Sequence, residues 1–158
     1  MARTAQAYAF AADSRSPEGL AVLGFLPVSG NEVPMLETDA LIMRGMLKVY
    51  VDDLPVAIAD LGVATARLRT GLPSTYPGPC LAHLSDANFR RGDWDAAVTH
   101  AQLATSLAQD TDRPLDLARA CARARSSGRS VSCASEVASW ACVTAASQSP
   151  RRKLASLR

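Results

Sequence analysis

The chain has 158 residues, room for one compact domain or a short array of helical repeats, and with 48% hydrophobic residues either would bury a useful core. Its net charge of +2 conceals an asymmetry: residues 1–118 carry 9 basic and 14 acidic side chains, net −5, whereas residues 119–158 carry 8 basic and 1 acidic, net +7. The longest apolar run, Leu20 to Val28, is broken by Gly24 and Pro27 and falls far short of the roughly 20 residues of a membrane-spanning helix, so no membrane partner is expected.

Cys80, Cys121, Cys133 and Cys142 show no Cys-x-x-Cys spacing and follow no secretory signal, which reads as reduced thiols in a cytoplasmic protein. In chain order, the alanine-rich first eleven residues predict a short helix ending near Asp13. Ser16-Pro17-Glu18 predicts another from Pro17 to about Phe25, with Ser16 as cap, proline in the tolerant first turn and glutamate at the positive end of the dipole. Pro27 and the loop Ser29-Gly30-Asn31 close this N-terminal portion, residues 1–36. Thr38 or Asp39 then caps a helix carried to about Val51, whose largely apolar surface predicts deep burial. Asp53 starts the next, with Pro55 in its first turn and Gly71 as a left-handed stop.

The apolar set of that helix, Leu54, Ala57, Ile58, Leu61, Ala64, Thr65 and Leu68, recurs 40 residues later as Trp94, Ala97, Val98, Ala101, Ala104, Thr105 and Ala108. The same offset carries Leu41 to Leu81, Gly45 to Ser85 and Asp53 to Asp93. The second set lies on one face of a helix from Trp94 to Asp110, and its alanines allow close approach of a neighbouring helix. The small residue Gly45 or Ser85, the alanine twelve residues on (Ala57 or Ala97) and the next seven further (Ala64 or Ala104) fit the tetratricopeptide pattern. The 40-residue period is longer than the standard repeat of about 34 residues, and the extra length fits the loop Gly71 to Pro79. The fold expected is all-α: tetratricopeptide-like antiparallel hairpins over residues 37–125, stacked as a short solenoid.

From about Glu37 to Leu117, roughly half the chain, the sequence resembles the helical-repeat region of large ATP-dependent LuxR-type transcriptional regulators. Gly-Met-Leu-Lys-Val-Tyr-Val-Asp-Asp-Leu-Pro-Val-Ala-Ile-Ala-Asp-Leu and Arg-Arg-Gly-Asp-Trp-Asp-Ala-Ala-Val-Thr-His-Ala-Gln-Leu-Ala-Thr-Ser-Leu-Ala carry the resemblance. In that family the repeats follow an ATPase module, precede a helix-turn-helix domain and sense effectors or partners, which implies an interaction or sensor role here. No Gly-x-x-x-x-Gly-Lys-Ser/Thr loop is present, so the ATPase does not carry over and no cofactor is expected. Pro114 to Arg125 reads as the first helix of a third copy, but the second-helix start due near residue 132 is replaced by serine-rich sequence, and only Val137 to Ala146 regains helical spacing. Residues 126–158 are therefore expected to be a degraded repeat and basic tail. Either a stand-alone remnant of a regulator or a truncated or frame-shifted gene product is the expectation, with a dimer forming through an uncovered last repeat.

His83 has Asp86 and Ser85 nearby, but three such residues on one helix cannot readily converge as a catalytic triad, and neither histidine belongs to a metal-ligand spacing. No catalytic, metal or cofactor site is assigned; the competing class, an enzyme of unrecognised type, would need a convergent polar pocket. The acidic residues Asp52, Asp53, Asp93 and Asp95 mark helix starts and read as caps. Trp94 reads as a packing wedge with Gly45, Ala57, Ala64, Ser85, Ala97 and Ala104. A protein partner or small effector is expected on the inner faces of the first helices, with Lys48, Asn88 and Arg91 as polar contacts. The basic tail is a second candidate, for nucleic acid through non-specific phosphate attraction.

Overall fold

A computed structural model describes residues 2–110. They form six α-helices and no strand: α1 (Ala2–Ala12), α2 (Ser16–Val22), α3 (Thr38–Tyr50), α4 (Leu54–Arg69), α5 (Pro77–Arg91) and α6 (Trp94–Asp110). Single 3-10 turns at Gly30–Glu32 and Met35–Glu37 punctuate the α2–α3 linker. The expected third copy, the basic tail and Cys121, Cys133, Cys142 and Trp140 lie outside the described residues.

Helices pair within the sequence. α1 packs on α2, α3 on α4 and α5 on α6, while α3 adjoins both α1 and α5, and α2 and α4 also touch the first helix of the following pair. One turn joins each pair. Its left-handed residue is Ser14 (φ 60°), Asp52 (φ 65°) or Gly92 (φ 89°). The next amide reaches five residues back, from Arg15 to Phe10, Asp53 to Lys48 and Asp93 to Asn88, at 2.8, 2.9 and 2.9 Å. Four residues further on, Gly19, Ala57 and Ala97 donate to the carbonyls of Arg15, Asp53 and Asp93 at 3.0–3.1 Å. The N-terminal helices, which the sequence presents as an appendage, are thus a hairpin of the same build. Pro17 and Pro55 occupy the same place in it, inside a first turn where no amide is required.

Cap chemistry departs from the expectations. Arg15, not Ser16, holds the cap position of α2, and Ser16 is buried as its first residue. Glu37 precedes α3, while Thr38 donates its hydroxyl to the Met35 carbonyl (2.7 Å) and Asp39 accepts from the Ser74 hydroxyl and the Thr75 amide. Asp53 turns its carboxylate to Lys48 (2.7 Å), and Asp52 pairs with Arg90 (2.6 Å). Asp93 does cap, accepting the Ala96 amide at 3.3 Å. The loop before α5 is shorter than its proline content suggests, because Pro77 and Pro79 both fall in the first turn of the helix.

The core is continuous from α1 to α5. Ten of the thirteen residues of α3 are buried, and Leu41, Ile42, Met43 and Leu47 meet Leu23 and Leu26 from the linker side and Leu61 and Ala64 from α4. Gly45 sits where α3 crosses α4: a Cβ there would lie 2.6 Å from Leu61 Cγ. Ala57, Ala64, Ala97, Ala101 and Ala104 are all buried, as the sequence pattern requires. Ser85, in the place of Gly45, donates its hydroxyl to the Ala97 carbonyl at 2.7 Å.

Trp94 is a correction. It is 56% exposed and meets only the edge of Phe89 among the ring contacts described, with centroids 4.9 Å apart at 80°. As the first residue of α6 it precedes the alanine contacts with α5 and projects past them, so it does not wedge between helices.

Gly45→Ala should lower stability by about 1–3 kcal/mol through overpacking against Leu61. Gly62→Ala, on α4 with nothing within 4 Å of its added Cβ, should raise it by about 0.5–1 kcal/mol through helix propensity. Chemical denaturation of both variants reads the opposite signs.

Candidate binding surface and cavity

The residues expected to contact a partner do not form one patch. Asn88 is corrected: it is 5% exposed, and its side-chain amide donates to the Leu84 carbonyl at 2.7 Å, one turn back in α5. Its helical position turns it inward with Leu84 and Ser85. Lys48 is partly exposed but tied to Asp53. Arg91 is exposed at the end of α5. Aromatic groups mark the first-helix layer instead. Tyr8 on α1 stacks with Tyr76 at 6.2 Å, and Tyr50 on α3 meets the buried His83 of α5 edge-on at 5.3 Å, its hydroxyl 3.4 Å from Nε2. Arg90 joins that end by donating to the Val49 carbonyl at 2.7 Å.

The Ser85 hydroxyl, near His83 in sequence, donates to the Ala97 carbonyl of α6. Cys80 is buried, and desolvation pushes its thiol up to about 11, so it packs as a protonated group beside Thr65 and the Leu61 carbonyl. Among the described residues, no three His, Cys, Asp or Glu gather as a metal cluster, and no helix is long and apolar enough to cross a membrane.

Two ionic features were not anticipated. Arg44 of α3 and Asp60 of α4 form a buried, two-pronged pair, Nε to Oδ2 at 2.7 Å and Nη2 to Oδ1 at 2.8 Å, and Asp60 is 1% exposed. Arg44 also donates to the carbonyls of Pro27 and Val28, and Arg67 of α4 donates to those of Gly30, Val33 and Pro34 and to the Thr38 hydroxyl. The signal was a charge of each sign set within an apolar helical face. The second feature is His100, which stands in α6 where Asp60 stands in α4. Its Nδ1 is buried with no hydrogen-bond partner among the described residues. Burial lowers its pKa below the ordinary 6.5; Arg69 adds to the effect, while the Ala96 carbonyl and Asp93 oppose it.

A cavity of about 350 Å³ opens where the last turns of α4 and α6 meet the first turn of α5. Five leucines and Pro77 form its apolar walls, with Thr65, Arg69, Ser74 and Ser106 as the polar members. That volume is within the range of small-molecule pockets, about 300–1,000 Å³.

The chain matches no protein-family model, no curated protein and no solved structure.

Removing one partner of the buried pair, as in Arg44→Met or Asp60→Leu, should cost about 3–5 kcal/mol by leaving the other charge uncompensated, and the double replacement should recover part of the loss. Denaturant unfolding of the cycle measures the coupling.

For His100 the unfolded chain holds the proton more tightly than the folded one, so stability is retained above the ordinary imidazole value and falls as pH drops through it. Thermal unfolding between about pH 7.5 and about pH 5.5 should show a steeper decline for the native chain than for His100→Gln.

Proposed function

We propose that the chain is a helical-repeat recognition module. Its tetratricopeptide-like hairpins stack as a short solenoid that binds a protein partner or small effector, in the manner of the repeat region of LuxR-type transcriptional regulators. The observation that carries this reading is the recurrent hairpin: the same left-handed turn at Ser14, Asp52 and Gly92, followed by the same inward small residue at Gly19, Ala57 and Ala97. A hairpin of two helices cannot bury its apolar faces alone, and stacking copies with adjoining first helices leaves one extended face for contact.

The face offered by α1, α3 and α5 is supported as the contact surface by Tyr8 and Tyr50, which are about half exposed on adjoining helices. Tyrosine supplies contact area at low entropic cost and a polar tip, the composition of interface centres. Arg91 remains a contact from α5, and Lys48 one that must first leave Asp53.

Cross-linking capture with the full chain, followed by titration of the captured partner, tests the reading. Tyr50→Glu combined with Arg91→Glu should weaken binding about tenfold or more, as for a contact hot spot, whereas Gln102→Glu on the exposed side of α6 should not. Absence of any saturable partner, or equal loss in all variants, overturns the proposal for this face.

A further inference from the structure

The cavity between α4, α5 and α6 has walls that specify a ligand more narrowly than the fold does. Leu68 and Leu72 contribute from the end of α4 and the turn beyond it, Leu81 from α5, and Leu103 and Leu107 from α6. Among the described residues no aromatic ring lines it, so these walls offer no platform for stacking a base or an aromatic acid. Its hydroxyls are few and mostly engaged: Ser74 donates to Asp39, and Thr65 shares a hydrogen bond with Cys80. That leaves too little hydrogen bonding for a sugar, whose hydroxyls would go unmatched.

Arg69 is the charged group in the wall. It belongs to the last turn of α4, is exposed, and makes no ion pair among the described residues, where Arg44 and Arg90 each hold an aspartate. A guanidinium beside an aliphatic cleft suits a carboxylate, which accepts two parallel N–H bonds in its fork. The cleft is open on one side, so a head group reaches water while a hydrocarbon body is covered. Leu103 is 37% exposed and Ser106 is exposed, so neither is committed to the core on that side.

We propose that this cavity binds a small aliphatic carboxylate, its hydrocarbon body against Leu68, Leu81, Leu103 and Leu107 and its carboxylate on Arg69. The inference deepens the effector reading of the module and names the effector's chemical class. It uses a different surface from the tyrosine-bearing face, so the two fail separately: partner capture through Tyr50 is read independently of ligand uptake at Arg69.

Titration calorimetry of the full chain with hexanoate, octanoate and decanoate should show saturable one-to-one binding that tightens about fourfold per added methylene until the cleft is filled. Decanoate should bind at least about fivefold more tightly than decanol, and Arg69→Gln should abolish that preference while leaving decanol binding unchanged. Ser106→Trp, which fills the mouth from an exposed position, should remove uptake of both, with its circular-dichroism melting curve confirming the fold. Absence of saturable uptake overturns the proposal. Equal binding of decanoate and decanol overturns the carboxylate assignment, and uptake unaffected by Ser106→Trp overturns the location.

Discussion

The buried pair of Arg44 and Asp60 sets the path of the chain between the first two hairpins. A carboxylate enclosed between helices is tolerated only when its charge is answered and its lone pairs are filled, and Arg44 does both from the adjoining helix. The planar guanidinium has donors left over. They reach the carbonyls of Pro27 and Val28, so the linker must pass over the pair and cannot take another route. Gly30 follows from the same constraint, since a Cβ at that position would lie 2.8 Å from Asp60 Oδ1. Arg67, two turns further along α4, fastens the remainder of the linker by the same kind of bond to Val33 and Gly30. Irregular backbone that would otherwise leave carbonyls unsatisfied becomes a fixed wall over α3 and α4.

Hairpins with one backbone plan carry different chemistry at matching positions. Where the middle hairpin places Arg44 opposite Asp60, the last has Leu84 and His100 at the corresponding positions in sequence. Gly45 leaves room for the Leu61 side chain where α3 crosses α4, and Ser85 answers the same crowding with a hydroxyl bonded to the backbone of α6. Turn geometry is thus independent of the polar groups above it: Ser14, Asp52 and Gly92 adopt one conformation with three different side chains. The aspartate and serine accept a left-handed φ that glycine takes without cost.

Much of this was legible in residue spacing. The period of small residues located α4 and α6 to within a residue at their starts, because proline, aspartate and glycine punctuate them and alanine marks their crossing points. Depth was less legible. Periodicity says which way Trp94 faces along α6, but not that it stays more than half exposed beside Phe89, and it placed at the surface an Asn88 that is buried. The first hairpin was hidden because its turn has serine where the last has glycine, and its two helices carry few of the large apolar residues by which an amphipathic stripe is recognised. Asp60 and Arg44 were overlooked because each stood alone on an apolar face. Their meaning depended on a partner 16 positions away in sequence.

Burial thins toward the described C-terminal end, and this bears on where the molecule responds to a ligand. α3 is enclosed by large side chains from three sides, whereas α6 buries chiefly Ala97, Ala101 and Ala104, with Val98 and Thr105. Hydrophobic stabilisation scales with apolar area, so an alanine contact contributes a small part of what a leucine contact does. Among the described residues the contacts of α6 are therefore worth less apiece than those of α3. The leucine-lined cavity lies at this same end and takes its walls from both α4 and α6. An occupant there would supply the apolar contact that α6 lacks and join it to the middle hairpin. A ligand that binds only the closed arrangement stabilises it by mass action, about 2.7 kcal/mol at a hundredfold excess over its dissociation constant, comparable to the burial of one large apolar side chain.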